Sequence, residues 1–361
     1  MRIFYFGVYG NYGGLENFAR NLVLSLRKKG IEFTLMTPAK KIAFEDDFLA
    51  AGCSIERLPD FKRHPFAYYK KFRQILKSAG PDDVVQLNIC SYRNFLPLLA
   101  CKKAHVKTIV AGHFANVADG RMPWMHYLNK RLYRKVGVKI TMTDDISRFM
   151  FSKSSHPFKI LNGIDTERFS YSDQARLEIR SQFHFDDGIA IGQISRIIAE
   201  KNPIFSVHAM EKVHEVYPNL TLHLIGREYD PSVREYIETK GLSYIHFDGE
   251  QKSGIEKWYS ALDVLLLPSP KEGLSLALLE SVGSGISLIA STAVPRLECP
   301  TPNISFLELD TEIWAKKIEE LAASLPQRVN QIKGTPYDIE VCAAHYLDVY
   351  QNYSVYFPKY R

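Results

Sequence analysis

Short apolar runs of strand length alternate with helix-period segments from one end of this chain to the other. Successive strands joined through helices must lie parallel, because each helix carries the chain back across the sheet. The alternation therefore predicts an α/β fold with a doubly wound parallel sheet in each half. The first half offers strands at Arg2–Val8, Phe33–Met36, Val84–Ile89, Thr108–His113 and Lys139–Thr143. The second offers Ala190–Ile194, Thr221–Ile225, Tyr244–Phe247, Val264–Leu267, Ser287–Ala290 and Ser305–Leu307. At 361 residues the chain exceeds one ordinary domain and suits two.

The stretch from Pro268 to Ser291 says most about chemistry. The run Asp263-Val-Leu-Leu-Leu-Pro268 reads as a buried parallel strand, and Pro-Ser-Pro-Lys-Glu-Gly cannot continue it. From Ser275 the positions Leu276, Leu279, Val282 and Ile286 repeat at helical spacing, with Ser275 expected to cap the helix through its hydroxyl. A helix start at the carboxyl end of a parallel strand suits an anion, above all phosphate. Glu272 precedes this helix and Glu280 lies within it, so one carboxylate can take sugar hydroxyls beside the phosphates while the other holds a ribose.

The string Glu272-Gly-Leu-Ser-Leu-Ala-Leu-Leu-Glu280 resembles the E-G-x-x-x-x-x-x-E element of the family-4 retaining glycosyltransferases, and further stretches of that pattern follow in order over nearly the whole chain. The resemblance implies the GT-B fold, two Rossmann-like doubly wound domains facing a central cleft. Phe158 to Phe169, reading FKILNGIDTERF, is similar to the segment where the family crosses between domains. That places an acceptor-side domain at 1–161, a nucleotide-sugar domain at 162–340, and a terminal segment at 341–361 that crosses back. Gly273, Leu274, Ser275 and Leu276 join Glu272 and Glu280 as implied donor contacts, and Gly249 is placed with them.

In the amino-terminal half, Gly7-Val-Tyr-Gly10-Asn-Tyr-Gly13-Gly14-Leu-Glu16 follows the first strand. A dinucleotide oxidoreductase would need G-x-G-x-x-G and an acidic residue ending the second strand; neither is present. The string is similar instead to the family's G-G-x-E loop. Gly13 and Gly14 then let main-chain N–H groups approach donor phosphates, and Glu16 supports the loop or the acceptor side. By the same resemblance His113 hydrogen-bonds the donor sugar's hydroxymethyl group or the acceptor side.

Ile191 to Asn202 resembles the family's V-G-R-L-x-x-x-K-G element, in which Arg196 and Lys201 match the cations that neutralise the diphosphate. Some glycosyltransferases give that task to a divalent cation on an Asp-x-Asp motif, and here no two aspartates are separated by one residue. The adjacent pairs Asp46-Asp47, Asp82-Asp83, Asp144-Asp145 and Asp186-Asp187 read as turn or helix-start residues. The expectation is a transferase without cofactor or metal, acting on a nucleoside-diphosphate sugar with UDP as the first candidate.

Charge narrows the partners. Residues 1–160 carry 27 Lys and Arg against 12 Asp and Glu, and the remainder 19 against 28. The basic half invites nucleic acid, an anionic lipid or a phosphorylated partner; no zinc-finger, RRM or basic-zipper pattern accompanies it, so nucleic acid is the weakest of the three and none is expected. Tyr69, Phe72 and Leu76 among Lys70, Lys71, Arg73 and Lys77, and the aromatic and basic segment Trp124–Lys139, suit an interfacial surface. Family members building surface polysaccharide use polyprenyl-diphosphate carriers, so a glycan or polyprenyl-diphosphate-linked acceptor is implied. Met1–Val8 reads as a strand rather than a signal peptide, and five scattered cysteines read as reduced packing residues. The expected location is cytoplasmic, peripheral at the inner face of the plasma membrane. A GT-B epimerase or hydrolase, and a non-catalytic membrane-docked scaffold, are the alternatives.

Overall fold

The computed structural model describes residues 1–113, 123–152, 155–185, 188–251, 253–299 and 301–357. The chain divides into two compact units: Met1–Gly163 together with the segment from Ile339 onward, and Ile164–Asp338.

The first unit holds a seven-stranded parallel sheet: β1 (Arg2–Phe6), β2 (Glu32–Thr37), β3 (Ser54–Arg57), β4 (Val84–Ile89), β5 (Lys107–Gly112), β6 (Val138–Thr141) and β7 (Phe158–Lys159), in the order β3-β2-β1-β4-β5-β6-β7. The second holds six parallel strands: β8 (Ala190–Ile194), β9 (Thr221–Ile225), β10 (Ile245–Gly249), β11 (Val264–Leu267), β12 (Ser287–Ser291) and β13 (Ile304–Leu307), ordered β10-β9-β8-β11-β12-β13. Both orders are doubly wound and reverse once, at β1/β4 and at β8/β11.

The central strands follow the apolar runs because both sheet faces are covered, as in β4, buried at all six positions. β3 and β7 were not expected. Ser-Ile-Glu-Arg and Phe-Lys pair on one side only at the sheet edges, and neither carries an apolar run to announce it.

The helix Ile339–Gln351 belongs to the first unit. Cys342, Tyr346 and Tyr350 join a core with Phe18, Leu22 and Tyr5, and Glu340 accepts from Ser25 Oγ at 2.8 Å and pairs with Lys29 at 2.6 Å.

Three expectations need correction. In the helix Pro65–Leu76, Phe72 and Leu76 are buried with Tyr68, and Phe72 meets Phe6 edge-on at 5.9 Å, so the supposed interfacial stripe is core. Ile286 lies beyond the helix Leu276–Ser284 and Leu276 is half-buried, whereas Leu279 and Val282 are buried as expected, together with Leu278. Cys90 is exposed and Cys299 partly so; only Cys53, Cys101 and Cys342 are buried. The Asp186-Asp187 pair lies outside the described residues.

Candidate functional site

β8 and β11 pair directly, Val264 beside Ile191 and Leu265 beside Gly192, where the second sheet reverses its order. Loops leaving the carboxyl ends of such strands diverge, and open α/β sheets take ligands between them. From β8 the chain passes Arg196 and a 3-10 turn at Ala199–Lys201 before the helix Pro203–His214; from β11 it runs to Ser275 and the helix Leu276–Ser284.

Both loops are fastened from below. The buried Gln193 amide donates to the Lys201 carbonyl at 2.9 Å and accepts from Ser206 Oγ at 2.7 Å. Asn202 Nδ2 donates to the Pro268 carbonyl at 3.2 Å, and Ser291 Oγ donates to the Ser269 carbonyl at 2.5 Å. Lys201 and Glu272 thereby meet: Nζ pairs with Oε1, which also accepts from Ser269 Oγ at 3.0 Å. Their side chains keep 23% and 11% of their surface exposed, so a ligand can reach the pair. Nothing in the sequence announces this contact, since the residues stand 71 positions apart. Arg196 is exposed on the same β8 loop, and Gly273 is exposed with nothing within 4 Å of a built Cβ.

Ser275 stands at the N-cap with extended backbone and is buried, but its hydroxyl makes no capping hydrogen bond. The expected side-chain cap is absent, so it leaves the first backbone donors of this nine-residue helix to another acceptor. Leu274 and Leu276 flank it, half-buried.

Glu280, four positions into the helix from Leu276, accepts from Tyr259 OH at 2.6 Å. Burial pushes its carboxyl up to about 7, against the pull of the Tyr259 hydrogen bond and the Arg168 charge.

Gly249 ends β10 with φ +72°, and its carbonyl accepts from Gly226 N at 2.9 Å. Gly226, not anticipated from the sequence, is the more constrained of the two: its φ is +153° and a Cβ would stand 1.8 Å from the Ser195 carbonyl oxygen. Only glycine permits this crossing of the β8 and β9 exits. The signal was a glycine directly after the apolar strand, Leu-Ile-Gly-Arg-Glu. A cavity of about 180 Å³ opens there between Gly226, Arg227, Glu228, Phe247 and Gly249.

In the first unit, Gly13 forms the extended N-cap of the helix Gly14–Lys28. The carboxyl of Glu16 folds back under that loop, with its Oε2 3.0 Å from where a Cβ on Gly13 would stand. Burial raises its pKa, and backbone hydrogen bonds from Glu16, Tyr9 and Gly13 oppose the rise. These contacts support the loop. His113 follows β5, with Nε2 3.0 Å from Asn88 Oδ1 and its ring tilted against Phe18 at 5.9 Å. Burial lowers its pKa to about 3, so the ring is neutral.

Two reversing parallel sheets with these strand-end loops match the GT-B glycosyltransferases. Anabaena Alr3699/HepE, solved in complex with UDP and glucose, is similar at a TM-score of 0.75 and 15% identity over 98% of this chain and 100% of that one. The description Glycosyltransferase Family 4 fits residues 12–168, and Glycosyl transferases group 1 fits residues 188–324. The chain belongs to this family of glycosyltransferases. It is 24% identical to the Bacillus subtilis protein named "Putative glycosyltransferase EpsF" over 94% of each chain. It is 21% identical to the GDP-mannose-dependent alpha-(1-6)-phosphatidylinositol monomannoside mannosyltransferase of Mycolicibacterium smegmatis, over 77% of this chain and 76% of that one.

Proposed function

We propose that this glycosyltransferase moves a hexose from a nucleoside-diphosphate sugar, with UDP as the first candidate, to a glycan or polyprenyl-diphosphate-linked acceptor, retaining the anomeric configuration. The observation carrying the proposal is the Lys201–Glu272 pair beside the uncapped helix start at Ser275. It brings a cation and a carboxylate together next to backbone donors that no side-chain cap occupies, and this supports the reading.

In this reading Arg196, Lys201 and the N–H groups from Gly273 to Leu276 neutralise the diphosphate, Glu272 orients sugar hydroxyls, Glu280 holds the ribose, and Gly249 borders the base. The C1–O bond to phosphate breaks as the acceptor oxygen bonds C1 on the same face, and the acceptor proton passes to the departing phosphate. The enzyme's part is positioning and charge stabilisation. UDP in the HepE complex supports the base assignment by fold likeness alone. Thermal-shift screening against UDP, GDP and ADP sugars tests the proposal, since a ligand bound by the folded state raises its Tm. Stabilisation by none of them would sink it.

Cations in place of a metal predict that EDTA leaves the transfer rate within about twofold. Complete loss restored by manganese or magnesium would overturn the metal-independent mechanism.

Membrane contact is proposed for the helix Pro123–Leu132. Trp124, Tyr127, Leu128 and Leu132 are all exposed and share one face at helical spacing with Arg131. Lys139, within the same sequence segment, is buried in β6 and takes no part. Replacing Trp124 and Leu128 by glutamate should lower cosedimentation with phosphatidylserine vesicles at least tenfold and leave phosphatidylcholine binding negligible; unchanged sedimentation would remove this surface. No helix among the described residues is long and apolar enough to cross a membrane.

A further inference from the structure

Behind His113 runs a chain of buried polar side chains whose polarity is fixed from one end. Asn88 Nδ2 lies 2.9 Å from the Phe6 carbonyl oxygen. A carbonyl can only accept, so the amide nitrogen faces Phe6 and Oδ1 faces away. Oδ1 then accepts from Gln86 Nε2 at 2.9 Å, which leaves Gln86 Oε1 to accept from Tyr350 OH on the returning helix. All three residues are at most 2% exposed, so water does not compete for these bonds. Asn88 is also pressed by backbone, since a Cβ on Gly7 (φ +115°) would come 2.4 Å from its carbonyl oxygen.

Oδ1 has a second neighbour, His113 Nε2 at 3.0 Å. An amide oxygen offers no hydrogen, so Nε2 must carry one, and in a neutral imidazole the other nitrogen is a bare lone pair. No described residue occupies Nδ1.

We infer that Asn88, oriented by the Phe6 carbonyl and by Gln86, is a positioning residue that locks His113 as its Nε2–H tautomer, so that Nδ1 accepts a hydrogen bond from a sugar hydroxyl. The inference rests on the glycosyl-transfer reading for its ligand but not for its tautomer. A hydroxyl satisfies the lone pair because it can donate; an ionised phosphate or carboxylate cannot. The lowered basicity of the half-buried ring makes it an orienting acceptor rather than a general base.

The test is two-bond ¹H–¹⁵N NMR on histidine-labelled protein without ligand, with His113→Gln identifying the signal. A single Nε2–H tautomer, unchanged from pH 5 to pH 8, is expected. An Nδ1–H tautomer or an imidazolium in that range would overturn the inference. Asn88→Leu should give mixed tautomers and lower kcat/KM by roughly 10- to 100-fold. Asn88→Asp, whose buried carboxyl when protonated donates to the Phe6 carbonyl and still accepts from Nε2–H, should restore the single tautomer. It carries the test if Asn88→Leu does not fold. Tyr350→Phe removes only the far end and should keep the tautomer while lowering Tm. A retained single tautomer in folded Asn88→Leu, or its loss in Asn88→Asp, refutes the positioning role. If the wild-type tautomer is as expected but no nucleotide sugar supports turnover, the donor proposal fails and the hydrogen-bond chain stands.

Discussion

Lys201→Ala and Arg196→Ala are each expected to lower turnover by roughly 10²- to 10³-fold, the range seen when one preorganised group facing developing charge is removed. On the proposed reading, breaking the C1–O bond places negative charge on the diphosphate; both side chains leave the loop after β8, and Lys201 pairs with Glu272, which precedes the helix start at Ser275. Neither is a core residue, since Arg196 is exposed and Lys201 half-buried, so both variants should fold. Lys201 carries the sharper expectation. In the free protein it is paired with Glu272, and on the proposed reading donor binding draws it from that carboxylate onto phosphate. Lys201→Ala therefore removes the counter-charge and also strands Glu272, with Ser269 as its remaining partner. Steady-state kinetics with the stabilising donor, and circular dichroism as the folding control, decide the matter. Near-normal turnover in both variants would remove the diphosphate assignment.

What could be read in the sequence was what packing writes locally. Buried central strands appear as uninterrupted apolar runs, and β8, β9 and β11 fall where those runs lie. Edge strands β3 and β7 are paired on one side and largely open, so their residues are polar or exposed and carry no periodic signal. Periodicity also says that a helix has an apolar stripe without saying what faces it. The stripes of Pro65–Leu76 and Pro123–Leu132 read alike, yet the first is core and the second lies open. Site residues within one contiguous motif were legible because a loop and the helix after it are local. Contacts made by chain return were not: Lys201 with Glu272, Gly226 against Ser195, and Tyr350 on Gln86 depend on sheet order and the path of the last helix.

Glu280→Ala should weaken binding of free UDP by roughly 1.5 to 3 kcal/mol, the cost of a charge-assisted hydrogen bond lost in a partly buried site, while Glu272→Ala should bind it at least as well as wild type and fail in transfer. The divergence follows from what each carboxylate does in the free protein. Glu272 occupies Lys201, so its removal releases a cation for the diphosphate even as the sugar loses its acceptor. Among the described residues Glu280 makes no ion pair and accepts from the Tyr259 hydroxyl, with Arg168 acting on it at longer range. Its pKa gives the assignment an independent readout. With the carboxyl raised to about 7, protonation competes with ribose binding around neutral pH, because the ionised form accepts from ribose hydroxyls more strongly than the protonated one. Binding should therefore tighten as pH rises through 7 and should release a proton near that pH. The same sign governs stability. A raised carboxyl pKa favours the folded state below the ordinary value of 4.5 and loses that advantage as pH rises through 7, so Glu280→Gln should raise Tm more at pH 8 than at pH 5. Calorimetry with uridine, whose lack of phosphate removes the ligand's own titration in this range, isolates the effect when wild type is compared with Glu280→Gln in buffers of different ionisation enthalpy. Uridine affinity that is flat across pH 6 to 8 in both proteins, or nucleotide affinity lost in Glu272→Ala and kept in Glu280→Ala, would mean that the donor lies the other way along this helix.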